Sequence, residues 1–359
     1  MIRRIVVISA LVFSVGVLGA GWSLANAVFT PVNDPISAKI AEWARGHGMG
    51  SIVTGLESIQ YALNPPKVGG KPSSILLKGS NARNLQSPLR TIVTPALPHE
   101  GTFTSLVTRH GVRLLQVAYM RPDAQHTSYL SAIVWMSGSH TRLIQHPGQS
   151  DPGHLSLWSQ KTSISSSPAS GLVAAFNGGF KIKDARGGYY DNTHTLGKLV
   201  PGAASLVIYR DGSTNIGAWG TDLKMTPEVV SVRQNLRLLI ENGRLAPHLD
   251  AAVKANWGTT VGATTNVWRS GIGITSTGDL VYVAGDALSA HSLAALLQRA
   301  GAVRAMQLDI NKSWISYMWF TSRVGSNLLT PHKILNFERP ANRYFNPTSR
   351  DFFAVYYRK

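Results

Sequence analysis

The sequence predicts an α+β fold: a mixed, mostly antiparallel sheet with packed helices, preceded by a short helical N-terminal segment. Three observations predict it. From about residue 100 the chain breaks into apolar runs of strand length. Asp211-Gly212 and Asn242-Gly243 stand between such runs, and these dipeptides readily adopt the positive φ angles of tight hairpin turns. One stretch of the body, about Leu288 to Ala300, carries a clear helical pattern, with Gly301 as its stop.

The N-terminus comes first. Arg3 and Arg4 precede an apolar run from Ile5 to Leu24, and the small-residue site Ala25-Asn26-Ala27 follows. That is the order of a signal peptide, and the run is also about long enough to anchor in a bilayer. Residues 1–27 are therefore expected to be a signal peptide or membrane anchor. With the arginines inside, either places the rest of the chain outside the cytoplasm. Residues 28–98 read as a helical and loop-rich adaptor. Ile36, Ile40, Trp43 and Ala44, then Ile52, Leu56, Ile59 and Leu63, recur near helical spacing, with Gly46, Gly48 and Gly50 between them. Asn64-Pro65-Pro66 and Gly69-Gly70 open a linker, and residues 80–98 are loop-rich.

Residues 99–359 form the strand-rich body. Ser105–Thr108 and Val112–Tyr119 flank Arg109-His110-Gly111 as a hairpin. Further strands are expected at Tyr129–Met136, Leu172–Phe176, Ala204–Tyr209, Leu236–Glu241, Gly271–Thr275 and Leu280–Ala284. Met306–Leu308 delivers Asp309 at its C-terminal end. No repeat of fixed period is present.

Hydrophobic residues make up 44% of the 359-residue chain, enough for a large core. The absence of cysteine excludes disulfides, zinc–thiolate sites and thiol nucleophiles. Lysine and arginine number 35 against 18 acids, a formal charge of +17 that attracts polyanions. An exported protein meets phospholipid headgroups, teichoic acids and phosphorylated polysaccharides before nucleic acid. No nucleic-acid motif is present, and none of the Walker, G-x-S-x-G, H-E-x-x-H or dinucleotide-binding patterns appears.

Four segments could carry chemistry. The run into Asn177-Gly178-Gly179 bares backbone N–H groups that could form an anion nest. Arg269, entering a glycine-containing strand, offers bidentate contact to phosphate. Asp309, followed by Asn311, Lys312 and Ser313, places a carboxylate and polar groups at a sheet edge. The loop from Lys181 to His194 could close over a sugar through its tyrosines, including Tyr190.

The order of these segments resembles the phosphodiester glycosidase family. Asn177-Gly178-Gly179, Asp211-Gly212, Arg269 with Gly273, Gly278, a helix, Gly301-Ala302 and Leu308-Asp309 follow one another as they do there, over about residues 165 to 315. The last motif departs from it. The family runs Leu-Asp-Gly-Gly-Gly-Ser, whereas this chain has Leu308-Asp309-Ile310-Asn311-Lys312-Ser313. The resemblance implies hydrolysis of the bond between a sugar's anomeric carbon and a phosphodiester. Phosphate is a good leaving group that needs charge stabilisation more than proton donation. The roles implied are Asp309 as the carboxylate and Arg269 as the phosphate clamp. Asn177, Gly178, Gly179, Asn311, Lys312, Ser313, Tyr190 and His194 would bind substrate. No cofactor or resident metal is expected, although a divalent cation is compatible with the chemistry. The partners implied are a phosphorylated glycan or sugar-1-phosphodiester, and the membrane through the N-terminal segment. The altered glycine motif keeps a second reading open, a non-catalytic envelope module that binds phosphorylated glycans.

Overall fold

A computed structural model describes residues 18–32, 34–50, 52–53, 55, 63–72, 85–249, 257–258, 265–323 and 325–358. Much of the expected leader and of the second adaptor helix (Ile52 to Leu63) lies outside these residues. Helix α1 covers residues 18–29 and α2 covers Ile36–Gly46, tied together where Trp43 Nε1 donates to Ser23 Oγ at 3.0 Å. Among the described residues no helix is long and apolar enough to cross a membrane.

The body runs β1 (Thr104–Arg109), β2 (Val112–Met120), β3 (Ser131–Met136), β4 (Thr141–His146), β5 (Leu172–Asn177), the short α3 (Ile182–Ala185), β6 (Tyr189–Asp191), β7 (His194–Leu196), β8 (Ala204–Tyr209) and β9 (Thr214–Ala218). It continues with β10 (Val229–Gln234), β11 (Leu238–Glu241), β12 (Arg244–Leu245), β13 (Val267–Thr275), β14 (Leu280–Leu288), α4 (Ala290–Arg299), β15 (Ala302–Gln307), β16 (Tyr317–Ser322), β17 (Leu329–Lys333) and β18 (Phe352–Tyr357). The expected β1–β2 hairpin forms with Arg109 opposite Val112. The Asn242-Gly243 turn sets Glu241 opposite Arg244. The expected body helix is α4, started by a capping box. Ser292 N–H donates to Ser289 Oγ at 3.0 Å and Ser289 N–H to Ser292 Oγ at 2.9 Å.

The strands assemble into an eight-stranded sheet, β1-β2-β3-β14-β13-β15-β11-β12, and two five-stranded sheets, β7-β6-β10-β8-β9 and β17-β16-β5-β18-β4. The expectation of a mixed sheet needs correcting. Every ladder between the described strands is antiparallel, and the parallel pairings are the isolated bridges Asp151–Arg350 and Trp219–Leu223. Short glycine-containing turns link β1 to β2, β8 to β9, β11 to β12 and β13 to β14, and a tight turn can only return the chain antiparallel.

The large sheet is buried on both faces. Tyr282, Val134 and Ile272 face Phe176, Tyr317 and Phe353 of the third sheet in the main core. Val281, Val283 and Ile133 face α4 through Leu293 and Leu297, and Leu85, Leu89 and Ile92 pack against that second core. A strand with a core on each side reads as a continuous apolar run, which is why Leu280–Ala284 shows no alternation. Gly271 lets α4 approach closely: a Cβ there would lie 3.1 Å from Leu297 Cδ1.

Candidate active site

Several strand ends meet at one edge of the body. β5 ends at Asn177, β18 begins just after Asp351, β15 leads through Leu308 to Asp309, and Arg233 comes from β10. Asn177 is the buried joint. Its Nδ2 donates to Ser270 Oγ at 3.0 Å, and its Oδ1 accepts from Tyr282 OH at 2.9 Å and Ser316 N at 3.2 Å. Ser270 Oγ in turn accepts from Asp309 N–H at 3.2 Å. One hydroxyl on β13 therefore links the ends of β5 and β15 and sets where the Asp309 side chain starts.

The Asp309 carboxyl is half committed to its own turn. Its Oδ1 accepts from the N–H groups of Ile310 at 2.7 Å and Asn311 at 2.9 Å. Its Oδ2 lies 3.7 Å from Arg350 Nη2. Burial pushes the carboxyl up to about 6, against the opposing pull of Arg350 and the two N–H groups.

Arg350 is the hub of the charged cluster. Its Nη2 donates to the Gly179 carbonyl at 3.3 Å, its Nε lies 3.9 Å from Asp151 Oδ2, and its guanidinium sits 5.2 Å from the centre of the Trp314 ring. Nε makes no hydrogen bond among the described residues. Burial raises Asp151 as well, despite Arg350 and Arg233 nearby. Beneath them Arg233 and Asp351 form a fully buried pair, Nε to Oδ2 at 2.8 Å and Nη2 to Oδ1 at 3.1 Å. A groove of about 450 Å³ lined by Asp151, Lys181, Ile182, Lys183 and Leu196 opens beside the cluster. One guanidinium thus lies between Asp151, which lines this groove, and Asp309.

The N-terminal segment adds two acids. Asp34 pairs with Arg339 at 2.8 Å and accepts from Ser349 Oγ. Glu42, on α2, pairs with Lys181 and lies 4.0 Å from Arg350 Nη1. The Arg339 guanidinium also lies over Trp314, 4.6 Å from the ring centre. Among the described residues no group of three or more His, Asp or Glu is arranged to hold a metal ion.

Several expected site residues sit elsewhere or act differently. Arg269 does not face the Asp309 carboxyl. Successive side chains on a strand point to opposite faces, and Ser270 takes the face toward Asn177. The Arg269 guanidinium instead donates to the Leu288 carbonyl at 2.8 Å, Gln307 Oε1 at 2.8 Å and the Thr265 carbonyl at 3.1 Å. The Asn177-Gly178-Gly179 turn is not an open nest, because Asn177 N–H donates to the Ser316 carbonyl and Gly178 N–H to the Asp351 carbonyl. Its glycines serve close packing. A Cβ on Gly178 would lie 2.2 Å from Asp351 Oδ2, and one on Gly179 3.0 Å from Asn235 Cγ. Lys312 and Ser313 both turn to Glu338, at 2.9 Å each, and Asn311 Oδ1 accepts from Ser313 N–H at 2.9 Å. Tyr190 packs on the Val207–Trp219 cluster of the second sheet, and His194 is exposed on β7.

Arg350, Asp351, Arg233 and Asp151 carry no expectation from the sequence, and Trp314 closes the Asp309 segment without an expected role. A signal existed for two of them: Arg350-Asp351 is a charged pair directly before the apolar run Phe352–Tyr357, the mirror of Asp309, which directly follows such a run.

Fold and site together define an antiparallel sheet protein with a carboxylate–guanidinium cluster where its strand ends converge. Residues 170–313 match the model of the phosphodiester glycosidase family. That matched stretch is hydrolase-like. Among solved structures the chain is similar to the zebrafish N-acetylglucosamine-1-phosphodiester α-N-acetylglucosaminidase catalytic domain, auto-inhibited by its pro-peptide. The identity is 15%, covering 72% of this chain and 88% of that one, with a TM-score of 0.43. It is also similar to a hypothetical protein from Synechocystis, at 12% identity over 69% of this chain and 63% of that one, with a TM-score of 0.37. No curated protein matches the chain.

Proposed function

We propose that the protein is an exported hydrolase that cleaves the anomeric sugar–phosphate bond of a sugar-1-phosphodiester in envelope or extracellular glycans. The observation that carries this reading is the Asp309 carboxyl, raised to about 6 by burial, with one oxygen 3.7 Å from Arg350. Near neutral pH Asp309 is ionised. Its Oδ2 either takes a proton from the attacking water or stabilises the positive charge that develops at the anomeric carbon. Arg350, whose Nε makes no hydrogen bond among the described residues, takes the phosphate-clamp role in place of Arg269. Lys181 and Arg339 add positive charge around the leaving phosphate. Asp34 and Glu42 now neutralise part of that charge, so an incoming phosphate has to compete with them.

The reaction breaks the bond from C1 to the bridging oxygen. Water supplies a hydroxyl to C1, and its other proton goes to solvent through Asp309. The products are a free sugar and a phosphate monoester. Incubating the protein with a sugar-1-phosphodiester in ¹⁸O-water tests this, since the label must appear on the sugar. Label on the phosphate would indicate attack at phosphorus and overturn the assignment.

A second reading, a glycan-binding module without turnover, draws on the altered motif. Ile310, where the family has glycine, packs against the cluster of Phe180, Ala185 and Leu236, and Lys312 is paired with Glu338. Binding of the phosphodiester with no product from the wild-type protein would favour that reading.

A further inference from the structure

A second charged surface lies at the end of the body away from Asp309. β18 runs antiparallel to β5, from Phe352 opposite Asn177 to Tyr356 opposite Leu172. Six residues of strand separate the two ends by roughly 20 Å.

Four segments converge at this far end. The β1–β2 turn brings Arg109 and His110, and the His110 ring lies 5.8 Å from that of Tyr357. The start of β4 brings Arg142, whose guanidinium lies 5.6 Å from the centre of the Tyr356 ring. Arg358, after β18, donates its N–H to the His140 carbonyl at 2.8 Å. The β8–β9 turn brings Arg210 and Gly212, and a Cβ on Gly212 would lie 3.3 Å from Arg142 Cβ and 3.8 Å from Arg358 Nη1. Acids near these turns already have partners. Asp211 accepts from Ser213 N–H and Oγ at 2.9 and 2.6 Å, Asp279 from Gly138 N–H at 2.9 Å, and Glu228 lies 4.0 Å from Arg210. Beside the arginines a groove of about 400 Å³ is lined by Tyr190, Asn192, Thr193, Arg210 and Met225.

We propose that this end is a non-catalytic docking surface for a polymeric phosphodiester anion, a chain of repeated sugar- or polyol-phosphate units. Cations on four separate segments suit a chain of spaced negative charges better than one phosphate. The groove offers an aromatic face, an amide and a hydroxyl, the groups that meet a sugar ring. A bilayer is the weaker match, because the described part of the N-terminal segment meets the body through Asp34 and Glu42, near Asp309 at the other end. Holding one part of a polymer here raises the effective concentration of its other units at the site. Docking does not depend on turnover, so its failure and the failure of the hydrolase reading are separate outcomes.

The test compares the full chain with two double variants of equal net charge. Arg142→Glu with Arg210→Glu changes the far end. Arg90→Glu with Arg237→Glu changes exposed arginines elsewhere. The probe is a poly(glycerol phosphate) chain, with neutral dextran and phosphatidylglycerol–phosphatidylcholine vesicles as alternatives. The wild type should bind the polymer with an affinity that falls as salt rises. The far-end variant should lose about tenfold or more and the control variant only a minor part of that. Equal weakening in the two variants, no polymer binding by the wild type, or wild-type binding to vesicles and not to the polymer, overturns the proposal.

Discussion

Asp309 carries opposing demands in one side chain. Its carboxyl is raised from 3.8 to about 6 by burial, so at neutral pH the fold holds a charge it would rather neutralise. The linked stability is fully present below the unfolded value near 3.8 and is lost as pH rises through about 6. Asp309→Asn removes that cost while its Oδ1 can still accept from Ile310 and Asn311. The variant should melt higher than wild type at pH 7, by up to ~3 kcal/mol, while kcat falls by orders of magnitude. A lower melting temperature with unaltered kcat would show that the carboxyl is structural. The pH profile follows from the same group: kcat/KM should fall as pH drops below about 6, as Asp309 takes up its proton. Arg350→Lys keeps the charge but loses the planar fork that reaches Gly179, Asp151 and Asp309 together. It should raise KM and lower kcat, with kcat/KM down about tenfold or more. Arg269→Lys should act mainly on stability, since that guanidinium holds Leu288, Gln307 and Thr265.

The elements around the site set who reaches it. α2 and the residues before it bring Glu42 and Asp34 onto Lys181, Arg350 and Arg339. Asp34→Asn with Glu42→Gln, in the full chain, should lower the KM for a sugar-1-phosphodiester without raising kcat. An unchanged or higher KM would mean that the two acids organise the cations and do not compete with substrate. On the other side of the large sheet, α4 depends on its capping box. Ser289→Ala should cost about 1 kcal/mol in thermal or denaturant unfolding, with little effect on activity, because Ser289 lies outside the charged cluster.

At the scale of the whole molecule, the topology of export is open to direct test. Protease added to intact cells should digest the body beyond about Val28, and protection until lysis would sink the extracytoplasmic reading. The composition, the +17 charge and the hairpin dipeptides already implied a sheet-rich, polyanion-seeking protein. Asp309 could be picked out because a lone acid directly follows a buried strand, a local pattern. The β1–β2 hairpin and α4 could be placed for the same reason: turn chemistry and capping act over a few residues. What faced what was decided only by tertiary structure. Whether Arg269 or Ser270 looks toward Asn177 is a matter of strand register, and one residue of register inverts every side chain. Arg350 became the partner of Asp309 because β18 pairs with β5 in the third sheet while Asp309 leaves the first. No local sequence pattern encodes that meeting of strand ends, since it depends on how separate sheets stack around one core.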